Sequence, residues 1–487
     1  MSETLNNKIV SATKWSAITE VLAKLVAPIS SMVLARLLTP EAFGVVATIN
    51  MVIAFAEIFT EAGFQRYLIQ HEFENDEHKE ESINVAFWSN LIMSLFLWGI
   101  VCLFSDPLAS FVGSPGLGKV LIVASSSIPI IAFSSIQMAI FRRSLDFKTL
   151  FWRRLATVIV PIFVTIPLAI WLKSYWALVI GTIVTNLVNV ILLTIKSTWT
   201  PRFYFSISRL KEMLSFSSWS IIDSILIWAT GYIDIFFISL ALDSYYLGIY
   251  RTSITTVGHF TTLITASVLP VVMPAISRLQ DNIPEMQATL LRFQKYTSIF
   301  LLPLGAGIFI FSDLITKILL GNQWDDASSF IGLWALMEAV TVIFSRFCSN
   351  VYPAIGKPRL SVLVQVLHLV VLIPAVIISG RYGFIPLYVT RSLIRIELIL
   401  VNFVMVYYTI KLNPFDMIKN IFPELCASVI MIFIGYFLLL FNDSIWASII
   451  WIFVCAISYF ILLWLMPKER VLFYDIKRML LAKLRTK

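Results

Sequence analysis

Long apolar runs separated by short polar joins recur along the whole chain. A membrane-spanning helix needs roughly 20 mostly apolar residues, and runs of that length give fourteen candidates in this sequence. Their predicted bounds are 11–37, 42–64, 83–104, 117–141, 153–173, 175–195, 214–239, 247–272, 293–319, 329–351, 359–379, 384–410, 421–441 and 445–466. Some joins, such as 173–175, are so short that consecutive spans have to run antiparallel. The pattern predicts an all-α polytopic membrane protein with about fourteen transmembrane helices.

Composition indicates lipid rather than water as the main solvent of the folded chain. Hydrophobic residues make up 59% of the 487 residues and charged residues only 14%, whereas soluble domains carry about 25% charged residues. The basic residues are dispersed over many short loops, which argues against a nucleic-acid-binding face. The four cysteines lie in apolar stretches, without the close spacing of a metal site. We therefore expect a protein that binds no metal, no cofactor and no nucleic acid.

The positions of Lys and Arg predict the orientation of the spans, because basic residues are enriched in cytoplasmic loops. With the N-terminus in the cytoplasm, 27 of the 37 basic residues lie on the cytoplasmic side and only five on the other. This asymmetry predicts that both termini are cytoplasmic. Residues 1–10 lack the apolar core of a cleaved signal peptide, so we expect the first helix to be retained. The tail, 467–487, reads as a basic amphipathic helix on the inner leaflet.

A weak internal duplication relates two stretches that lie 204 residues apart. At this offset Trp15 aligns with Trp219 and Gly44 with Gly248, and seven of the 31 positions from 14 to 44 are identical. The offset spans six predicted helices, so both copies begin on the same side and form parallel repeats. We expect two pseudo-symmetric six-helix lobes around a central cavity, followed by two extra helices. The predicted domains are 1–212 with helices 1–6, 213–412 with helices 7–12, and 413–487 with the extra helices and the basic tail.

Short motifs in both halves carry a resemblance to a known family. They are KWSAI at 14–18, VLARLL at 33–38, FG at 43–44, IQ at 69–70, LGIY at 247–250, LP at 269–270, PAISRLQD at 274–281 and GNQW at 321–324. These motifs resemble the polysaccharide-transport branch of the multidrug, oligosaccharidyl-lipid and polysaccharide exporter superfamily. Within that branch the chain is most similar to the colanic-acid exporters, and the resemblance extends over essentially the whole sequence.

This resemblance implies a function and a location. It implies a flippase of the bacterial inner membrane that moves an undecaprenyl-diphosphate-linked oligosaccharide from the cytoplasmic to the periplasmic leaflet by alternating access. Such transport would serve the synthesis of lipopolysaccharide or another surface polysaccharide. Coupling to an H⁺ or Na⁺ gradient and contact with a polysaccharide polymerase are further expectations that the resemblance suggests.

Basic residues inside the predicted spans are the candidates for binding the lipid headgroup. A charge at the bilayer centre costs about 2.5–3.5 kcal/mol on insertion scales, so it should face a cavity or a partner. Arg391 and Arg395 share one helix face, and guanidinium groups bind phosphate oxygens bidentately. We expect these two arginines, together with Lys24 and Arg346, to contact a diphosphate. The alternative is that the arginines pair with carboxylates such as Glu338 and serve only packing.

Acidic residues inside the spans are the candidates for ion coupling, because carboxylates at membrane depth commonly mark ion or proton pathways. They are Glu57, Asp223, Glu20 and Asp234. The alternative role of each is a fixed pair with a neighbouring Lys or Arg. Trp219 and Trp228 are the candidates for stacking on sugar rings, although an interfacial belt or packing would use the same residue type.

Enzymatic function has no support in the sequence. It contains no phosphate-binding Walker loop, no nucleophile elbow, no zinc-protease helix and no large hydrophilic domain. We therefore expect no catalytic residues and a protein that is not an enzyme. A membrane-embedded sugar-chain polymerase or ligase is the enzymatic alternative, but the predicted periplasmic loops are all short. A multidrug or small-cation antiporter of the same superfamily is a second alternative, and a non-transporting scaffold is a third.

Overall fold

The computed structural model describes residues 23–24, 26–61, 64–467 and 469–470, without the side chains at 61, 216–220, 223, 267 and 270. Most of the predicted amphipathic tail therefore lies outside the described residues. The described chain contains helices and no strand. The first helices are α1 (Val26–Leu37), α2 (Pro40–Glu61), α3 (Phe64–Gln70), α4 (Asp76–Leu103), α5 (Ser105–Phe111), α6 (Gly118–Ser125), α7 (Ser127–Arg143), α8 (Phe147–Val160), α9 (Ile166–Leu172), α10 (Trp176–Lys196) and α11 (Ile207–Ala241).

The second part of the chain continues the helical pattern with two irregular turns. Its helices are α12 (Ser244–Ser277), α13 (Ile283–Ile310), α14 (Ser312–Leu319), α15 (Ser328–Thr341), α16 (Phe347–Ala354), α17 (Arg359–Gly380), α18 (Phe384–Leu393), α19 (Arg395–Ile410), α20 (Pro414–Asn420), α21 (Phe422–Phe441) and α22 (Ile445–Leu465). A 3₁₀ turn, Asn322–Ala327, precedes α15, and a π turn, Val342–Arg346, joins α15 to α16.

The membrane-spanning helices agree with the predicted class. Within the described residues, twelve helical segments are long and apolar enough to cross a membrane. A bent pair, Ser244–Ala266 and Val271–Ser277, adds a thirteenth when counted as one span, and α1 is the described part of the first predicted span. Large apolar side chains such as Leu103, Trp171 and Leu440 are exposed on these segments, as expected where lipid replaces water. The prediction of an all-α polytopic membrane protein is confirmed.

Several predicted spans contain an irregular turn between two helices. The span predicted at 117–141 consists of α6 and α7, and the span predicted at 384–410 consists of α18 and α19, which meet at Ile394. A π turn, Pro161–Thr165, joins α8 to α9, because proline has no N–H to donate to the preceding turn. Apolar composition is the same on both sides of each break, so hydropathy alone does not reveal them.

Local capping sets several of the helix ends. At the start of α4, Asn75 Oδ1 accepts a hydrogen bond from the backbone N–H of His78 at 2.7 Å. At the start of α8, Asp146 Oδ1 accepts one from the N–H of Thr149 at 3.1 Å. Such caps satisfy N–H groups that a helix start leaves unpaired. Lys411 ends α19 in the left-handed conformation, with φ of 56°.

The described chain packs into two compact units. The first contains the described residues up to Thr252 together with Ile373–Phe384, and the second contains Ser253–Leu372 and the described residues from Ile385 onward. The core of the first unit lies among α2, α4, α6, α7 and α10. The core of the second lies among α13, α15, α16 and α19, and a further apolar cluster packs α21 and α22 against α13 and α14. The predicted domain boundaries follow the sequence duplication and stay predictions.

Two glycines that the internal duplication aligns meet inside the first compact unit. A Cβ added to Gly44 would lie 1.8 Å from the carbonyl oxygen of Ser244, and one added to Gly248 would lie 1.8 Å from the carbonyl oxygen of Pro40. Pro40 and Ser244 are themselves aligned at the offset of 204. The contact is therefore reciprocal, as a pseudo-two-fold relation between α2 and the start of α12 requires. Only glycine allows the two backbones to approach this closely.

Candidate functional site

A buried carboxylate and a group of arginines meet in the second compact unit. Glu338 lies on α15 with its side chain 5% exposed. Its Oε1 accepts a hydrogen bond from Arg346 Nη2 at 2.6 Å, and its Oε2 accepts one from Arg395 Nη1. Charge-assisted bonds of this kind are about twice as strong as neutral ones. One carboxylate therefore orients two guanidinium groups, and we call Glu338, Arg346, Arg391, Arg395 and Trp334 the arginine site.

The π turn explains how Arg346 reaches Glu338. Eight residues of a regular α-helix would leave the two side chains about 80° apart around the axis. The turn Val342–Arg346 is wider than an α-helical turn because its hydrogen bonds join residues five apart. The reduced rotation brings Arg346 back toward the face that carries Glu338. The sequence does not reveal this bulge, because no proline or glycine occurs within it.

The indole ring of Trp334 packs against two guanidinium groups of the arginine site. The guanidinium carbon of Arg395 lies 3.7 Å from the ring centre of Trp334, and that of Arg391 lies 5.1 Å from it. Tryptophan is the best aromatic partner for a cation, and the attraction increases when water is excluded. Arg391 lies in the last turn of α18 and Arg395 begins α19. Both guanidinium groups lie near the same Trp334 ring across the break at Ile394.

The arginine site brings several guanidinium groups to one carboxylate. Two of them bond to Glu338 directly, and the carboxylate of Glu397, on the first turn of α19, lies 2.8 Å from His368 Nδ1. The side chain of Arg346 is 49% exposed. Arg346 is therefore the arginine of the site that is most accessible to an anionic group.

One donor in the site has no partner among the described residues. The Nε–H of Arg395 is buried and makes no hydrogen bond there, although its Nη1 bonds to Glu338. Buried polar groups are normally paired, so this N–H stands out among the donors of the site. A guanidinium with an N–H that is not used within the site is suited to binding a phosphate oxygen.

A buried hydrogen-bond network connects the helices beside the arginine site. Asn402 on α19 donates to Ser345 Oγ at 2.9 Å and accepts from Tyr352 Oη at 2.8 Å. These bonds tie α19 to the π turn and to α16. Because Arg395 lies on α19 and Arg346 on the π turn, the network fixes the separation of the two arginines.

Three of the four predicted headgroup residues lie together in the arginine site, the exception being Lys24. Lys24 belongs to the first compact unit, and its predicted contribution stays a prediction. The sequence analysis did not include Trp334 among the candidates. Its spacing of four residues from Glu338 on α15 was the available signal, because residues i and i+4 share a helix face.

The predicted ion-coupling residues lie in the first compact unit or outside the described residues. Asp234 on α11 is buried, and its Oδ2 accepts a hydrogen bond from Tyr250 Oη at 2.5 Å. Glu57 is half-buried on α2. Glu20 and the side chain of Asp223 lie outside the described residues. The coupling role of all four stays a prediction.

Of the two predicted sugar-contacting residues, the structure describes the side chain of Trp228. Trp228 on α11 donates from Nε1 to the carbonyl oxygen of Met51 at 3.1 Å, and its ring centre lies 4.9 Å from that of Phe55. The indole nitrogen is therefore occupied in this conformation, while the ring remains half-buried. The side chain of Trp219 lies outside the described residues, and the sugar-contacting role of both stays a prediction.

Comparison with known protein families identifies the chain. Residues 33–329 match the family described as polysaccharide biosynthesis protein. The chain belongs to this family. Named relatives align with 71% and 77% of the chain, so the similarity extends beyond residue 329.

Two relatives of this polysaccharide biosynthesis protein are named for related processes. The succinoglycan biosynthesis transport protein ExoT of Rhizobium meliloti (strain 1021) is 25% identical over 351 residues, which cover 71% of this chain and 70% of the relative. The lipopolysaccharide biosynthesis protein WzxC of Escherichia coli (strain K12) is 21% identical over 383 residues, which cover 77% of this chain and 76% of the relative. The predicted likeness to polysaccharide-transport proteins is confirmed.

A solved structure shares the fold. The lipid II flippase MurJ in its inward closed conformation superposes with a TM-score of 0.76 and 17% sequence identity, covering 93% of this chain and 99% of that one. At this identity the match establishes the fold alone. It supports the confirmed prediction of an all-α polytopic membrane protein.

Proposed function

We propose that this polysaccharide biosynthesis protein is a flippase that moves an undecaprenyl-diphosphate-linked oligosaccharide from the cytoplasmic to the periplasmic leaflet of the bacterial inner membrane. Family membership and the transport name of a relative support a role in exporting surface polysaccharide. The observation that carries the proposal is the arginine site, which gathers guanidinium groups around one buried carboxylate and one tryptophan within membrane-spanning helices. The protein acts in this proposal as a transporter and not as an enzyme.

The chemistry of the substrate headgroup fits the arginine site. A diphosphate presents several anionic oxygens, and guanidinium forks bind such oxygens bidentately. Arg346 is half-exposed and would meet the headgroup first, and the unpaired Nε–H of Arg395 would follow. Glu338 would keep both guanidinium groups oriented, and it would also limit affinity so that the headgroup can leave. A transporter needs this balance, because a substrate bound too tightly is not released.

A direct test examines the lipid intermediates of cells that lack the gene. The expected result is accumulation of undecaprenyl-diphosphate oligosaccharide that is protected, in intact spheroplasts, from a membrane-impermeant glycosidase. Return of the wild-type gene should restore export. If the deletion strain exports normally and accumulates no protected intermediate, the proposed function is wrong.

A matched pair of substitutions tests the site separately from the function. Arg346→Gln removes the exposed guanidinium of the arginine site, whereas Arg359→Gln removes an exposed guanidinium at the start of α17 in the same unit. A hydrogen bond to a charged group contributes about 1.5–3 kcal/mol, so we expect Arg346→Gln to reduce export roughly tenfold or more. Arg359→Gln should export like the wild type. Equal export by both variants, at equal protein level, would reject the arginine site and leave the flippase proposal standing.

Ion coupling forms a separate part of the proposal. Buried Asp234 and half-buried Glu57 are the described carboxylates that we propose for it. In proteoliposomes, dissipating the H⁺ and Na⁺ gradients with ionophores should slow unidirectional transport of the lipid-linked oligosaccharide. Transport that is unaffected by loss of both gradients would exclude coupling to either ion.

A further inference from the structure

A second polar cluster joins three elements of the first compact unit. His71 follows α3, His78 lies in the first turn of α4, and Glu212 lies near the start of α11. One ligand atom from each of the three residues lies within 4.8 Å of the other two. His71 Nε2 is 3.2 Å from Glu212 Oε1, and His78 Nε2 is 3.7 Å from Glu212 Oε2. Donor atoms from separate parts of the chain thus converge on one point.

His78 is the buried and unpaired member of this cluster. The residue is 4% exposed, and neither of its ring nitrogens has a hydrogen-bond partner among the described residues. A buried polar group left unpaired costs about 1–3 kcal/mol. Its ring neighbour Phe73, with centroids 5.4 Å apart, offers no acceptor or donor. A cation held between His78 and Glu212 would use the free lone pair and remove this cost.

The surroundings orient the other two donors. Tyr67 donates from Oη to Glu212 Oε1 at 2.7 Å, and its ring stacks on that of His71 with centroids 4.4 Å apart. Arg143 Nη1 donates to the carbonyl oxygen of His71 at 2.8 Å and fixes the backbone there. Outer hydrogen bonds of this kind are usual around metal ligands.

The nearest basic side chain is already neutralised. Arg209 Nη1 lies 3.5 Å from Glu212 Oε2, but its Nε lies closer to Glu81, at 3.2 Å. The carboxylate of Glu212 is thus shared, and its second oxygen remains directed toward His78. Arg209 therefore does not account for the convergence of the two histidines.

We propose that His71, His78 and Glu212 bind a divalent transition-metal ion, with Zn²⁺ as the preferred ion. Two imidazole nitrogens and one carboxylate oxygen form a known donor set for zinc, which leaves a fourth position open. Tetrahedral coordination separates ligand atoms by about 3.3 Å. His71 Nε2 lies 3.2 Å from Oε1 of Glu212 and His78 Nε2 lies 3.7 Å from Oε2, and a set with one ligand atom from each residue lies within 4.8 Å, so small side-chain movements would complete the geometry. Imidazole donors disfavour Mg²⁺ and Ca²⁺. The ion would tie the α3–α4 turn to α11, on the side predicted to be cytoplasmic.

This site departs from the sequence-based expectation that the protein binds no metal. The two histidines are seven positions apart across a helix start, and Glu212 is more than a hundred residues away. No linear metal-binding motif has that form. Only the packing of α11 against α3 and α4 brings the three donors together.

The test measures zinc on the full-length protein purified in detergent with an affinity tag that contains no histidine. After EDTA treatment, equilibration with ZnCl₂ and desalting, we expect about one Zn²⁺ per chain for the wild type. His259→Ala is the matched control, because it removes a histidine elsewhere in the chain and should bind zinc normally. His78→Ala and Glu212→Gln should each weaken binding more than tenfold, and Tyr67→Phe should weaken it roughly tenfold.

Two readouts keep the proposal falsifiable if a ligand variant fails to fold. Only monodisperse protein is compared, and zinc-edge X-ray absorption of the wild type, which needs no variant, should report nitrogen and oxygen donors with imidazole scattering. Zn²⁺ should also raise the unfolding temperature of the wild type and of His259→Ala but not of His78→Ala. A wild-type protein that binds no Zn²⁺, a His78→Ala variant that binds it equally, or zinc bound mainly by sulfur would each overturn the proposal.

Discussion

The second compact unit contains two clusters that combine buried carboxylates with cations in different proportions. In the arginine site, one carboxylate, Glu338, bonds to two arginines, and one of these is 49% exposed. In the other cluster a single cation, Lys295 on α13, bonds to Glu424 Oε2 at 2.9 Å and to Glu469 Oε1 at 2.7 Å. Glu424 is fully buried. One carboxylate thus bonds to two cations in the first cluster, and one cation bonds to two carboxylates in the second.

The two clusters also differ in whether their cationic donors have partners. Lys295 also donates to the carbonyl oxygen of Asn420 at 2.9 Å, so all three of its donors have partners within the chain. The lysine cluster thereby holds α13 against the start of α21. Arg395 Nε, in contrast, has no hydrogen-bond partner among the described residues, and the proposed function assigns this donor to the substrate headgroup. Burial of charge alone does not distinguish a structural ion pair from the proposed binding site, whereas satisfaction of the donors does.

The largest effect is expected from the double substitution Arg391→Ala with Arg395→Ala. It removes two guanidinium groups but leaves Glu338 paired with Arg346. With two charged contacts of about 1.5–3 kcal/mol lost, we expect export to fall roughly 1,000-fold while the protein remains in the membrane. Quantified surface polysaccharide and membrane protein level provide the measurement. Normal polysaccharide output from this variant would refute the headgroup role.

Lys295→Met should have the opposite pattern of effects: it should lower the stability of the protein and leave transport by each folded molecule unchanged. It leaves Glu424 and Glu469 buried without their cation, and removal of one partner of a buried pair costs about 3–5 kcal/mol. We expect a lower unfolding temperature in detergent and a lower membrane level, with export per remaining molecule unchanged. Adding Glu424→Gln should restore part of the stability. A Lys295→Met protein as stable as the wild type would show that the lysine cluster does not stabilise the fold.

Arg395→Lys tests whether geometry or charge matters in the arginine site. Lysine keeps the positive charge but loses the planar fork and the stacking on Trp334. We expect export to fall about tenfold, since stacking of a shielded cation on tryptophan contributes roughly 2 kcal/mol and is only partly replaced. Transport assays at matched protein levels give the measurement. Wild-type export would mean that a point charge suffices.

The smallest effect should come from the matched pair Glu338→Gln and Glu424→Gln. The same substitution removes one negative charge from each cluster. Glu338→Gln should change export several-fold through altered headgroup affinity, because it removes the negative charge that bonds to Arg346 and Arg395. Glu424→Gln leaves Lys295 bonded to Glu469 and should change unfolding by only about 1 kcal/mol with export unaltered. If both variants altered export alike, the proposed division of roles would be wrong.

The sequence by itself determined the class of the protein and most of its spans. The thickness of the bilayer sets the length of an apolar run that can cross it. Each run can therefore be recognised from its own residues, without information on the helices that pack beside it. Arg391 and Arg395 could be recognised in the same way, because a charge within an apolar run needs a partner. Even the alignment of Gly44 with Gly248 was available in the sequence.

Only the tertiary structure decided which of these residues act together. Trp334 and the partners of Glu338 depend on the π turn and on the packing of α15 against α19. The convergence of His71, His78 and Glu212 depends on the packing of α11 against α3 and α4. Contacts between helices distant in the chain follow from three-dimensional packing, which hydropathy does not encode. The sequence could therefore predict that charges are buried, but not which of them remain unsatisfied.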